Sequence, residues 1–526
     1  MDSPNADRPP WMLFFYYLLG SVSLLTLILN VWFIKKKARL PPGPPGWPLV
    51  GNLFQLGQKP NVSLAALARK YGPLMTLRLG MQTVVVVSSP GMAKEFLTKN
   101  DNIFSGRTTK HVVESHSFNQ ASISWRQSGP RWRLLRRICN NELFSAKRME
   151  ALKHLRRDQV FGTMQLIHDH YYAKGKSVDI GQTIFVASFN LLGNMIFSQN
   201  VLNPHSEASD EFKETVWKLM EIAGTPNVTD IFPFLQFLDP QGLRREANIY
   251  MAKVYAVFEK FIQSRLASRS QNSCADPDSN GNGNGNDFLD ILLDFRGDGK
   301  GEVAQFTHSD IKGLLFDMFL AGSETTSSTI EWAMAEMIRK PQTMKRLQEE
   351  LEAVVGRHRR VEESDIQNLP YLHAVITEVL RLHPAVPLLL PHTSEAACEV
   401  GGYVIPQKSQ LLVNVWAIGR DPAIWRDPLE FVPDRFLECG DEMDYKGHNF
   451  DLIPFGAGRR ICVGLPLANR MLHLVVASLL HSFDWRLPDG QESYEEMDMT
   501  EKLGITLQKA VPLTAIPTPR LPSHIY

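Results

Sequence analysis

Cys462 sits in "PFGAGRRICVG" (residues 454–464), framed by Gly456, Gly458 and Gly464, with Phe455 and an arginine doublet before it. A lone cysteine late in a long chain is ordinarily a small buried hydrophobe. The glycines around this one ask for more. The stretch has neither the dinucleotide-binding nor the Walker spacing, so it is not a phosphate cradle. It suits a thiolate that ligates a metal in a flat ligand. Glycine lets a loop lie close against such a ligand and adopt dihedrals that other residues avoid. Backbone N–H groups aimed at the sulfur tune the bound metal. Arg460, two positions before the cysteine, suits a carboxylate on the same ligand.

Glu324 and Thr325 form a second constellation, in "AGSETTSS" (321–328). Gly322 and Thr325 are both unfavourable inside a helix, so their presence there needs a reason. Thr325 can bond the carbonyl of Ala321 one turn back. Gly322 removes side-chain bulk on the same stretch, and together they would open a groove. Trp132 and Arg136, in "PRWRLLRR" (130–137), are four apart and share a helix face. Arg131, Arg133 and Arg137 project more widely and read as a basic surface suited to an acidic partner. Glu378 and Arg381 have the i,i+3 spacing that helices carry routinely. Glu336 and Arg339 have it too and are expected on a solvated face.

These residues need a frame. A helical pattern over 309–340, closed by Pro341, carries the acid–alcohol pair. Asp317, Glu324 and Glu331 recur along it by sevens, which excludes a membrane span, so it should run through the middle of a large domain. Pro130 opens the helix of Trp132. Alternation and a Val run around Gly80 predict a hairpin over 74–88, and short strands are expected around 401–416 and 504–513. The polar, Gly/Asn-rich insert at 270–287 reads as a surface loop that exposes Cys274.

The chain has 526 residues, 44% of them hydrophobic, and a formal net charge of zero, which gives no signal for nucleic acid. Its five cysteines (Cys139, Cys274, Cys398, Cys439, Cys462) are scattered, without zinc spacing, and indicate a reducing compartment. Residues 11–34 carry no charge and are long enough to cross a bilayer, which takes roughly 20 helical residues. Lys35, Lys36, Lys37 and Arg39 follow, so the positive-inside rule puts the remainder in the cytosol. "PPGPP" then predicts a stiff extended spacer. The expected organisation is an anchor within 1–34, a basic stop-transfer and Pro-rich hinge over 35–46, and one large domain over 47–526. No later run reads as a membrane span. The sequons at Asn61 and Asn227 would face the cytosol and stay unmodified.

The chain resembles the cytochromes P450, the haem-thiolate monooxygenases. Phe455, Gly458, Arg460, Cys462 and Gly464 fill every fixed place of F-x-x-G-x-R-x-C-x-G. "EVLR" (378–381) and "PDRF" (433–436) follow the family's order, as do "AGSETT" and the Trp132/Arg136 pair. The resemblance implies a mainly α fold with small β-sheets and a single N-terminal transmembrane helix. Cys462 would be the axial ligand of the iron of haem b (iron protoporphyrin IX), with Phe455 beside it. Arg460, Trp132 and Arg136 would hold propionates, Ala321 would lie against the cofactor, and Arg459 would face the electron donor. Glu324 and Thr325 would relay protons, while Glu378, Arg381 and Arg435 would form a buried structural lock.

Anchor and hinge resemble those of microsomal members. These implied partners are O2, a small hydrophobic substrate and NADPH–cytochrome P450 reductase, at the endoplasmic reticulum membrane with the catalytic domain cytosolic. "AGSETTSSTIEWAMAEM", "TEVLRLHPAVPLLLPH" and "MDMTEKLGITLQKA" are most similar to the plant group of geraniol and diterpenoid hydroxylases, which implies a terpenoid substrate. Oxidative coupling or hydroxylation of an aromatic alkaloid or phenolic is the alternative, and a non-catalytic haem-binding membrane protein a remote one. Pocket residues by analogy are Val113, Phe118, Phe316, Phe319, Val386, Leu389 and Ile505, with a further segment near Asn227. Two positions depart from the pattern: Glu324 stands where many relatives have Asp, and Val463 where this group often has Pro. The loop "SHSFNQASIS" (115–124) fits no family pattern.

Overall fold

In the computed structural model the described residues are 14–17, 20–21, 39–204, 206–272, 287–297, 305–438, 443–488, 494 and 497–526. The expected anchor, apart from short helical pieces at 14–17 and 20–21, the basic run at 35–37 and nearly all of the insert with Cys274 lie outside them, as does Cys439.

The elements that position the site follow in chain order. Helix α1 (Pro60–Tyr71) opens on a proline, whose missing N–H costs nothing at the first helical position. The expected hairpin is β1 (Leu74–Leu79) and β2 (Gln82–Val87), turning at Gly80. Then come β3 (Gly106–Arg107), α2 (Pro130–Glu142), α3 (Ile180–Phe197), α4 (Glu207–Gly224) and α5 (Leu243–Asn272). The long central helix is α6 (His308–Arg339), followed by α7 (Pro370–Leu382), β4 (His392–Thr393) and β5 (Gln410–Val413). Helix α8 (Leu465–Ser482) and the small hairpin β6 (Glu501–Leu503) and β7 (Leu507–Lys509) complete the set.

Five strands form one sheet in the order β1-β2-β5-β4-β3, with β2 and β5 parallel and the other pairs antiparallel. Val84 to Val87 of β2 are fully buried, as an inner strand covered on both faces requires.

Helix α6 is 32 residues long and almost entirely buried. A capping box between Thr307 and Asp310 starts it, and Lys340 ends it before Pro341. It packs most extensively against α3, which is apolar all round. By length and composition α3 could cross a membrane, but 89% of it is buried inside the protein, so it is a core helix. A Cβ on Gly322 would stand 2.9 Å from Leu192 Cδ1 of α3. The missing side chain therefore admits a neighbouring helix, where the sequence suggested an open groove.

The Pro-rich stretch is extended and seated on the sheet. Pro41 and Pro44 are buried, Thr76 N–H of β1 donates to the Pro42 carbonyl (2.9 Å), and Asn52 Nδ2 donates to that of Pro44 (3.2 Å). Val404 N–H donates to the carbonyl of Arg39 (2.9 Å), so the fold is tied down from that residue onward. Asn61 and Asn227 are both buried.

Candidate functional site

The cysteine loop turns on two left-handed glycines, Gly456 (φ +70°) and Gly458 (φ +65°). At Gly458 a Cβ would lie 1.8 Å from the carbonyl oxygen of Leu97, so only glycine fits both the dihedral and the approach. The loop closes with the Cys462 N–H donating to the Phe455 carbonyl (3.0 Å). Gly464 then caps α8, which begins at Leu465. Both of their N–H groups point at the cysteine sulfur, at the positive end of the helix. Burial pushes the Cys462 thiol up, while the Gly464 N–H, the Arg136 guanidinium and the Leu465 N–H pull it back. Cys462 lies deep inside the protein and yet keeps an uncovered surface. Both hold if its side chain borders an interior space, whereas Cys139, also deep, is wholly covered.

Arginines gather beside this loop. Arg136 Nη2 donates to the Ile461 carbonyl (2.6 Å). Arg460 donates to the carbonyls of Ser105 (2.8 Å), Ile123 (3.2 Å) and Arg126 (2.7 Å), and lies over the Trp132 ring at 4.2 Å. Trp132 Nε1 donates to the same Ile123 carbonyl (3.0 Å). A third guanidinium, Arg107 of β3, is buried and donates to the carbonyls of Ser124 (3.0 Å) and Leu390 (2.7 Å). Its cross-strand neighbour is His392 of β4, whose Nδ1 lies 2.7 Å from the Phe104 carbonyl. Burial, then Arg460 and Arg136, holds Arg107 well below the usual guanidinium range. Burial, then Arg136, takes Arg460 down to about 10. His392 is held far below the usual imidazole range by burial and by Arg107. Among the described residues none of the three arginines is ion-paired with a carboxylate. Glu395 offsets Arg460 only from a distance, so repelling cations gathered without an ion-paired carboxylate make a site for an anionic group.

On α6 the exceptions to burial are informative. Ala321 is exposed and Gly322 and Thr325 half-exposed, while Ser323, Glu324 and Thr326 beside them are buried. Thr325 Oγ1 donates to the Ala321 carbonyl (2.6 Å), as the spacing predicts, and the helix runs on unbroken. Glu324 is buried, and among the described residues neither carboxylate oxygen has a hydrogen-bond partner. Burial raises its pKa to about 7, with Lys213 of α4 pulling down and Glu331 pushing up. No hydrogen bond joins Glu324 to Thr325, which project a residue apart around the helix.

Glu378 is enclosed. Arg381 donates to both its oxygens (2.6 and 2.7 Å), and Val432 N–H (2.7 Å) and Arg435 Nε (3.2 Å) donate to Oε1. The remaining donors of Arg381 reach the carbonyls of Gly419, Pro428 and Glu430. Glu336 and Arg339 are not a solvated face. Glu336 is 2% exposed, accepts from Arg339 Nη2 (2.6 Å), and has His383 Nε2 at 2.8 Å. Its spacing matches a surface pair, and only the tertiary fold brings α7 over it. Arg131 is ion-paired with Asp310, and Arg459 with Asp101 (3.0 Å); Arg133 and Arg137 have exposed side chains.

Of the expected pocket residues, Phe118 and Phe316 meet edge to face at 4.8 Å, with Val113 buried in the same cluster. The chain just before Val386 meets the Ile505 turn beside α6, while Leu389 packs against the cluster of Ile453 and Ala457. Leu507 N–H donates to the Ala385 carbonyl (2.8 Å), and Ser328 Oγ to that of Leu507 (3.0 Å). Ile505 N–H donates to the Met220 carbonyl of α4 (3.0 Å). Asn227 caps a short helical turn at Val228–Ile231. Phe319 does not line this region. Fully buried, it packs against Phe189, Phe197 and Phe258, because its position on α6 faces α3 and α5. Sequence reasoning missed Arg107 and His392. Their partners are backbone carbonyls of distant segments, and no spacing in the chain marks them.

Comparisons with known proteins place the chain in a family. The family Cytochrome P450 matches residues 41–511. Geraniol 8-hydroxylase from Swertia mussotii is 45% identical over 95% of this chain and 98% of its own length. Iridoid oxidase from Catharanthus roseus is 40% identical over 95% and 97%. A zebra fish cytochrome P450 solved with progesterone superposes with a TM-score of 0.71 at 27% identity, covering 88% of this chain and 99% of that one. The chain belongs to the cytochrome P450 family and is a cytochrome P450 monooxygenase.

Proposed function

We propose that this protein binds haem b through the Cys462 thiolate and hydroxylates a hydrophobic terpenoid, with electrons from NADPH delivered by a cytochrome P450 reductase. The carrying observation is the pairing of an uncovered sulfur at the head of α8 with three guanidiniums that, among the described residues, no carboxylate ion-pairs. These residues fit the prosthetic group. The sulfur receives two backbone N–H groups, which stabilise a thiolate. Arg107, Arg136 and Arg460, with Trp132 and His392, suit the two propionates. When bound, haem supplies dioxygen activation and oxygen insertion.

The chain's own residues do the rest. Glu324, with a pKa near 7, can give up and regain a proton at neutral pH. The Thr325 hydroxyl is the nearer station for that proton, since Thr325 keeps an uncovered surface beside Ala321. Phe118, Phe316, Val386, Leu389 and Ile505 offer an apolar wall that orients substrate by shape and excludes water. Relatives named for geraniol and iridoid oxidation support the terpenoid class. The exposed Arg133 and Arg137 suit the reductase's docking, and residues 11–34 anchor the chain in the endoplasmic reticulum membrane with the domain over 47–526 cytosolic.

Turnover tests this reading. NADPH, reductase and a panel of terpenoid alcohols should give hydroxylated product. NADPH use without any oxygenated terpenoid would refute the substrate class. Thr325→Ala should keep the haem spectrum while diverting most consumed NADPH to peroxide or water. Unchanged coupling would remove Thr325 from the proton route.

A further inference from the structure

The loop at 115–124 matched no family pattern, yet its second half is held by a single carboxylate. Asp317, two turns before Thr325 on α6, is buried. Its Oδ2 accepts from Ser122 Oγ (2.7 Å), Ile123 N–H (2.5 Å) and Ser124 N–H (3.1 Å). Ser122 Oγ also accepts from Trp125 N–H (2.9 Å), which folds the segment into a turn.

The carbonyls of this same turn face the other way, toward the cationic cluster. Ile123 accepts from Trp132 Nε1 and Arg460 Nη1, Ser124 from Arg107 Nε, and Arg126 from Arg460 Nη2. Gln127 closes the far end by accepting from Arg107 N–H (3.0 Å) and donating to the Arg107 carbonyl (2.5 Å). Every backbone N–H that Asp317 takes thus belongs to a residue whose carbonyl orients a cradle side chain.

We propose that Asp317 is a positioning residue for the haem cradle: it fixes the 122–124 turn, whose carbonyls set the directions of Trp132, Arg107 and Arg460. The inference rests on the haem-thiolate reading above. Hydrogen bonds to an ionised acceptor are about twice as strong as neutral ones. An amide at 317 keeps the shape but weakens all three bonds, and its NH2 would face N–H donors if it flipped. Glu331 is the internal comparison, since it is another buried acid of α6 and accepts from Leu513 N–H (2.8 Å), far from the cradle.

The test uses the full-length haem-loaded protein and reads transfer of haem to excess apomyoglobin, together with the propionate bending bands in resonance Raman spectra. Asp317→Asn should lose haem about tenfold faster than wild type, the lower end of what loss of a supporting partner costs a metal site. It should also shift the propionate bands, while Glu331→Gln changes neither. Ser122→Ala, a milder change on the loop side, should move both readouts in the same direction by less. Arg460→Lys combined with Asp317→Asn should lose haem less than multiplicatively, because the two variants share the Arg460 part of the path. Haem loss at the wild-type rate with unmoved bands in Asp317→Asn and Ser122→Ala would overturn the proposal. So would fully multiplicative effects in the double variant. Failure of the haem-thiolate reading itself would appear separately, as absence of a thiolate-type spectrum in the wild-type protein.

Discussion

At the scale of single residues, the most exposed prediction concerns Glu324. Its pKa in the folded protein is about 7, against 4.5 for an ordinary glutamate, because it is buried without partners. A raised folded value means that the folded state holds the extra proton between those two pH values. Stability is then greatest below 4.5 and falls as pH rises toward 7, by about 3 kcal/mol at most. Glu324→Gln cannot titrate, so its stability advantage over wild type should be smallest at pH 5 and largest at pH 8. Unfolding in denaturant at both values measures it, and an advantage independent of pH would contradict the assignment. Glu378 makes the opposite case. Glu378→Ala would leave Arg381, which is 1% exposed, without a counter-charge, and should cost about 3–5 kcal/mol in the same assay. A loss under 1 kcal/mol would show that the network is not a lock. The Glu378–Arg381–Arg435 network was legible only through the family resemblance, since i,i+3 spacing is routine, and Cys462 stood out by the glycines around it. Arg107, His392 and Asp317 were not legible, because each acts through backbone groups of segments remote in the chain.

Among the elements, the long ones were legible and the short ones partly so. Helix α6 was predicted over 309–340 and runs His308–Arg339, because one capping residue and one proline bound a strong periodic pattern. The hairpin β1–β2 follows from alternation broken at Gly80. Strands β3 and β4, two residues each, exist only through their pairing and leave no periodicity to read. The Glu336–Arg339 pair was misread for a related reason, since i,i+3 spacing says nothing about what packs over it. A cysteine loop held by glycines makes its own prediction. Gly458→Ala must move the backbone off Leu97, given a positive φ and a 1.8 Å clash. It should abolish most haem incorporation while circular dichroism keeps the helical signal. Normal haem content in that variant would show that the loop's close approach is dispensable.

For the whole molecule, the question is where the folded body begins. Val404 N–H bonds the Arg39 carbonyl, and Thr76 and Asn52 hold Pro42 and Pro44. A chain lacking residues 1–38 should therefore keep its midpoint of thermal unfolding within about 1 °C while leaving the membrane fraction. Removal through residue 46 strips those bonds from Thr76 of β1, Asn52 and Val404 and should lower the midpoint by several degrees, about 1–3 kcal/mol of lost hydrogen bonds. Equal midpoints for the two truncations would contradict the seating of the Pro-rich stretch. Haem ligation in this molecule rests on one sulfur, that of Cys462. Dithionite reduction of the full-length protein under carbon monoxide, recorded as a difference spectrum, reads that ligand directly. The wild type should show the red-shifted Soret band of a thiolate-ligated haem, and Cys462→Ala should lose it. Absence of that band in the wild type, or its survival without Cys462, would contradict the central claim.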